Sequence, residues 1–140
     1  MLRTKTMSEN TEPKSFDEFW DFYVRAHSNP TNRKLHFIGT SLAFGCVAGA
    51  ALTRRKSLLL AAPVLGYGFA WVGHFVFEKN KPASFDHPIW SFKADMKMWT
   101  MIATGKMDAE VERVMAGAAG PAPEETHVGA NGTRVETQAN

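Results

Sequence analysis

The sequence predicts an all-α chain: an integral-membrane helical hairpin of two spans, flanked by amphipathic interfacial helices and by disordered termini. Three observations predict it. Residues 35–52 and 57–77 contain no Lys, Arg, Asp or Glu, and runs of about 18–21 such residues match the apolar thickness of a bilayer. Only the short segment TRRK separates them, so the two runs fold back on one another. Ahead of them, Phe16, Phe19, Trp20 and Tyr23 recur at helical spacing opposite Asp17, Asp21 and Arg25, the signature of an amphipathic helix.

Residues 1–14 are polar and charged, with no apolar segment of the kind a secretory leader needs. They read as a disordered lead. Ser15 with Glu18 three residues on is a capping-box start, and the aromatic stripe that follows suits either an interface with lipid or packing on the rest of the domain. HSNPTNRK is a break, because Pro30 disfavours helix at Asn29 and Ser28, Asn29 and Asn32 form turns.

In the first run Gly45, Ala48, Gly49 and Ala51, and in the second Ala61, Ala62, Gly66, Gly68 and Ala70, allow close helix approach. Pro63 is tolerated in such a span. Arg54, Arg55 and Lys56 favour the cytoplasmic side, but Arg33, Lys34, Lys79 and Lys81 at the opposite end compete and leave the orientation open. Pro88 sits well in the first turn of a third helix ending near Gly105. Its expected apolar face is Ile89, Phe92, Met96 and Trp99, with Lys93, Asp95 and Lys97 arguing for an interfacial or re-entrant helix. MDAEVERVMAG adds a short amphipathic helix. The whole reads as one membrane-embedded domain over 15–116 with a disordered tail over 117–140, the tail carrying His127.

Composition excludes several functions. A net charge of +2, from 16 basic and 14 acidic residues, gives no blanket of cations for nucleic acid. Cys46 is the only cysteine and lies among small apolar residues, so neither a disulfide framework nor a thiolate site is expected. No G-x-S-x-G elbow is present.

Histidine placement carries the chemistry. His36 lies 18 residues before Arg54, and His74 lies 18 residues after Lys56. Equal rise along two antiparallel helices therefore brings both imidazoles to the same height at the open end of the hairpin. His27 and His87 fall on that side too, and polar groups at a span mark function. Glu78, four residues and so one turn after His74, points along the same helix face. His27, His36, His74 and Glu78, with His87 as a further candidate, make a nitrogen and carboxylate set suited to iron(II), zinc or manganese. Asp86 and Asp95 are carboxylates placed to orient an imidazole. Two other readings stand beside this one: paired histidines on membrane helices hold haem axially, and interfacial histidines in a non-catalytic membrane protein simply hydrogen-bond.

HSNPTNRKLHFIG has the form H-x-N-x-x-N-x-x-x-H, and GHFVFEKNKPASF has G-H-x-x-x-E-x-x-x-P-A. With two apolar spans between them, these segments resemble the small membrane-protein family that includes the eukaryotic 2-hydroxy fatty acid dioxygenase of the endoplasmic reticulum, over residues 16–104. The resemblance implies an iron(II)-dependent enzyme of fatty acid α-oxidation that shortens a 2-hydroxy fatty acid by one carbon. It carries the family's histidines onto His27, His36 and His74 and its acidic position onto Glu78, and gives Asn32 a part in orienting a ligand or the substrate. Arg33 is a further candidate for the substrate carboxylate. The implied partners are a fatty acyl substrate and a membrane, either bacterial inner membrane or endoplasmic reticulum, with homo-oligomers compatible. The chain lacks the further apolar spans of the eukaryotic enzymes, which leaves His87 without a counterpart.

Overall fold

A Ser15 hydroxyl that accepts from the Glu18 N–H starts α1 (Phe16–Arg25), as the capping box requires. The computed structural model describes residues 12–118; most of the expected lead, nearly all of the expected tail, and His127 lie outside the described residues. All regular structure among them is helical: α2 (Pro30–Thr53), α3 (Ser57–Val72), a π-helical continuation of α3 (Gly73–Glu78), a 3-10 turn (Ala83–Phe85), α4 (Pro88–Ala103) and α5 (Met107–Ala118).

Pro30 supplies the fixed φ of a first helical position and Asn29 caps it by accepting from the Thr31 N–H. The first apolar helix thus begins at Pro30, and the break expected over 27–34 shrinks to three residues at its start. Arg54, in the left-handed region at φ 56°, ends α2 and turns the chain into α3. The antiparallel pair is in close contact where Gly39 faces Phe69; a Cβ at Gly39 would stand 2.8 Å from the Phe69 Cβ. Gly45 and Gly68, expected at this seam, meet nothing within 4 Å.

Pro30–Thr53 and Ser57–Glu78 are long and apolar enough to cross a membrane. Only 22% of the apolar window of each is buried within the protein. Leu42, Leu52, Leu60, Val64, Val72 and Phe75 project outward from them, leaving apolar faces that lipid would cover.

The other helices pack as a cap against the hairpin's open end. Phe19, Trp20, Tyr23 and Val24 of α1 are buried against Ala94 and Met98 of α4 and Met107 and Val114 of α5. The α1 stripe therefore packs on the domain. Lys93 and Lys97, which argued against a plain span, lie 4.1 Å over the Phe16 and Trp20 rings, a cation–π arrangement. The buried face of α4 is Ser91, Ala94 and Met98, while Ile89 and Phe92 are exposed. This corrects the expected face: small residues allow the close contact, and the bulky ones that fixed the expected phase point outward. Gly105, at φ +69°, makes the left-handed turn into α5.

α5 is fastened to α1 by Glu110, which accepts from the Trp20 indole N–H at 2.6 Å and from Arg113. The Arg113 guanidinium and the indole hold the Glu110 carboxyl down from its ordinary 4.5 to about 2. A carboxyl depressed by folding stabilises fully above its unfolded value and loses that contribution as pH falls toward the folded one. Glu110→Gln is expected to flatten the thermal-stability profile between pH 5 and 2 and to leave it parallel to wild type above pH 6, as differential scanning fluorimetry across pH will measure.

Candidate metal centre

Three histidines from three segments meet at the hairpin's open end. His27 follows α1, His36 is two turns into α2 and His74 lies in the π-helical segment; all three are buried. His27 Nε2 and His74 Nε2 each stand 3.2 Å from His36 Nε2, and the three ligand atoms lie within 4.8 Å of one another. The equal-height argument is realised here, with 38 residues between His36 and His74.

The remaining ring nitrogens are all occupied. His27 Nδ1–H donates to the Tyr23 carbonyl at 2.6 Å, His36 Nδ1–H to Asp95 Oδ1 at 2.9 Å and His74 Nδ1–H to Asn80 Oδ1 at 2.7 Å. Each acceptor fixes the proton on Nδ1, so each neutral ring turns a bare Nε2 lone pair toward the others. Three lone pairs at such separations repel unless a cation lies among them. Nitrogens bound to one ion at about 2.1 Å stand about 3.0–3.4 Å apart, which brackets the observed 3.2 Å. A carbonyl, a carboxylate and an amide holding the outer nitrogens are the usual supports of metal-binding imidazoles. Burial, then the neighbouring His36 and His74, hold the His27 imidazole well below its ordinary 6.5, keeping it neutral and able to ligate.

These supports are themselves anchored. Asp95 also accepts from the Thr40 hydroxyl at 2.7 Å and from the Tyr23 hydroxyl at 3.4 Å. The Tyr23 ring stacks on His27 at 3.9 Å between centroids, and burial followed by the nearby Asp95 raises its phenol well above the ordinary 10, so it stays protonated. Asn80 donates to the Ala26 carbonyl at 3.0 Å, tying the His74 support to the end of α1.

Glu78, Asn32, Arg33 and His87 are placed differently from the sequence expectation. Glu78 is not beside the imidazoles: it accepts from the Asn29 N–H at 2.6 Å and from Ser28 and Asn32, at the positive end of α2. The i,i+4 argument put Glu78 with His74, but Glu78 is the last residue of the π-helical segment and its carboxylate is taken up by Ser28, Asn29 and Asn32 at the start of α2. Asn32 is fully buried with its Oδ1 unpartnered, against Gly73. Arg33 donates to the carbonyls of His27 and Ser28 at 2.9 and 2.7 Å and pairs with Asp108, so its guanidinium closes the end of α1. His87 lies against Phe19 and Trp90 at the start of α4, because the 3-10 turn carries the chain away from the cluster before α4 begins. Asp86 pairs with Lys81. Asp95, by contrast, supports a ring as anticipated. Asn80 was missed; only the left-handed Lys79 at φ 56° turns it back to His74, and no spacing rule signals that.

A cavity of about 340 Å³ adjoins the cluster, reached by His36, His74 and Asp95 and walled by α2, α3 and α4. α2 packs on both α3 and α4, which do not pack closely on each other; the gap between them is the cavity.

A family model described as 2-hydroxy-palmitic acid dioxygenase Mpo1-like matches residues 13–107. No curated protein and no solved structure matches the chain.

Proposed function

The chain belongs to the Mpo1-like family, and from that premise we propose that it is a membrane-embedded iron(II) dioxygenase that cleaves a 2-hydroxy fatty acid to an acid one carbon shorter. The observation that carries the reading is the trio of Nε2 lone pairs turned toward one point at the head of an apolar cavity. His27, His36 and His74 would hold the ion, which supplies dioxygen activation and Lewis acidity when bound. Three neutral nitrogens leave further positions on such an ion for substrate and dioxygen.

The chain's own residues prepare that chemistry. The Tyr23 carbonyl, Asp95 and Asn80 fix ring tautomer and direction. Apolar side chains such as Phe44, Trp71 and Met96 line the cavity and exclude water from the tail of the substrate. No Lys or Arg among the described residues lines it, so the substrate carboxylate finds its counter-charge at the ion held by the three histidines.

The geometry favours this reading over haem. Axial ligands on opposite faces of a porphyrin stand about 4 Å apart, twice a metal–nitrogen bond, whereas the nearest pairs here are at 3.2 Å with a third ring in the same space. A purely structural role for the histidines leaves the converging lone pairs unexplained. The test is oxygen uptake by protein supplied with iron(II) and 2-hydroxypalmitic acid. Uptake matched by release of the one-carbon-shorter acid, and lost in His74→Ala, is expected; equal uptake by both proteins contradicts the reading.

A further inference from the structure

The cavity beside the cluster has ends of different chemistry. His36, Thr40, Ala43, Phe44 and Val47 follow one face of α2, and Ala62, Gly66, Ala70 and His74 follow one face of α3. His36, His74, Thr40, Ser91 and Asp95 line it at the cluster, Tyr67 stands further along α3, and Val47 and Ala62 mark its far end. Ser91 and Asp95 stand one turn apart on α4, so the Ser91 side chain is a neighbour of the carboxylate that supports His36. The Ser91 hydroxyl is buried, with 6% of the residue exposed, and has no hydrogen-bond partner in the protein. Ser91 lines the cavity although its Oγ is closed off as placed, and a change of χ1 rotamer would carry the unpartnered hydroxyl to a ligand's polar atom.

We propose that this cavity measures a single acyl chain, whose polar head is hydrogen-bonded by Ser91 and whose depth is set at Gly66. The nature of the head rests on the 2-hydroxy acid reading above; the measurement of the tail does not. From His36 to Val47 the α2 wall runs about 16 Å. An extended chain of tetrahedral carbons, with bonds of about 1.52 Å and angles near 111°, advances about 1.25 Å per carbon, so this wall accommodates roughly 13 carbons. Gly66 lies eight residues from His74, about 12 Å down the cavity. A Cβ added there meets only the Ala43 Cβ at 3.8 Å, an ordinary contact. A larger side chain at 66 therefore fits the backbone and fills the deep end.

Displacement of a fluorescent fatty acid from the full-length, iron-loaded protein in detergent micelles, by saturated 2-hydroxy acids from C8 to C20, tests this. Wild type is expected to prefer about C12 to C14, with affinity falling by C20, as a wall of roughly 13 carbons predicts. Gly66→Phe is expected to move the optimum down by about three carbons while keeping its iron, and Gly66→Leu, a milder change, by fewer. Gly68→Phe, at a position that does not line the cavity, keeps the wild-type profile. Ser91→Ala weakens binding about fivefold at every length, as loss of one hydrogen bond would, without moving the optimum. An unshifted optimum in an iron-retaining Gly66 variant, an equal shift in Gly68→Phe, or unaltered affinity in Ser91→Ala overturns the proposal. Length-dependent displacement without oxygen uptake at any length sustains the ruler and removes the dioxygenase reading; uptake indifferent to length does the reverse.

Discussion

His36→Ala protein is expected to purify without stoichiometric metal and to show no oxygen uptake above background with a 2-hydroxy fatty acid. His36 is the middle member of the cluster, its Nε2 at 3.2 Å from both neighbours. Its loss leaves two imidazoles, and removes the one ring tied through Asp95 to α4. The metal-free variant should melt close to metal-free wild type, since the substitution relieves lone-pair repulsion while losing one hydrogen bond. The difference appears on adding iron(II), which raises the melting temperature of wild type alone, because only a native-state site stabilises by mass action. Asp95→Ala, which removes a ring support rather than a ligand, is expected to weaken metal affinity by about 10–100-fold. Glu78→Ala is expected to cost about 1–2 kcal/mol in stability through the lost bond to the Asn29 N–H, with metal retained. Metal analysis after anaerobic desalting, paired with thermal melts, separates these outcomes; loss of metal in Glu78→Ala would return the carboxylate to the ligand set.

Gly73→Ala is expected to be nearly as damaging, although residue 73 offers no ligand. A Cβ there would collide with the Asn32 side-chain oxygen and approach the Asn32 Cα at 3.4 Å. Asn32 is fully buried and cannot swing aside. Overpacking of this kind destabilises by about 1–3 kcal/mol. His74 is the next residue, in the π-helical turn that Gly73 begins. Displacing a reacting group by about 1 Å lowers turnover roughly a hundredfold, and that is the loss expected for Gly73→Ala. Asn32→Ala makes room, so the double variant should recover much of what Gly73→Ala loses. A double-mutant cycle on kcat/KM reads this coupling; strictly additive losses would show that the collision is not the cause.

Much of the architecture was legible in the sequence because it follows from local rules. Ser15 and Glu18 announced the start of α1 and the charge-free runs the two long helices, although Pro30 and Asn29, read as part of a break, in fact open α2. The matched heights of His36 and His74 needed only equal rise on two antiparallel helices and a short turn at Arg54. What stayed hidden depends on departures from those rules. Glu78, at the end of the π-helical segment, gives its carboxylate to the Asn29 N–H at the start of α2 rather than to the cluster. The left-handed Lys79 brings Asn80 back to His74. The face of α4 was set by Ser91 and Ala94, residues too small to weigh in an apolar pattern, rather than by Ile89 and Phe92. Arg33 looked like a substrate anchor beside the His36 motif, yet its guanidinium is spent on two backbone carbonyls and Asp108. Such tertiary hydrogen bonds leave no periodic trace in sequence.

X-ray absorption at the iron edge of protein loaded with one iron(II) per chain tests the three-histidine centre most directly. The expected spectrum shows nitrogen and oxygen neighbours of the iron at about 2.1 Å, with more distant scattering from three imidazole rings that falls to two in His27→Ala. A spectrum with one imidazole or none, or with a porphyrin's scattering, would contradict it.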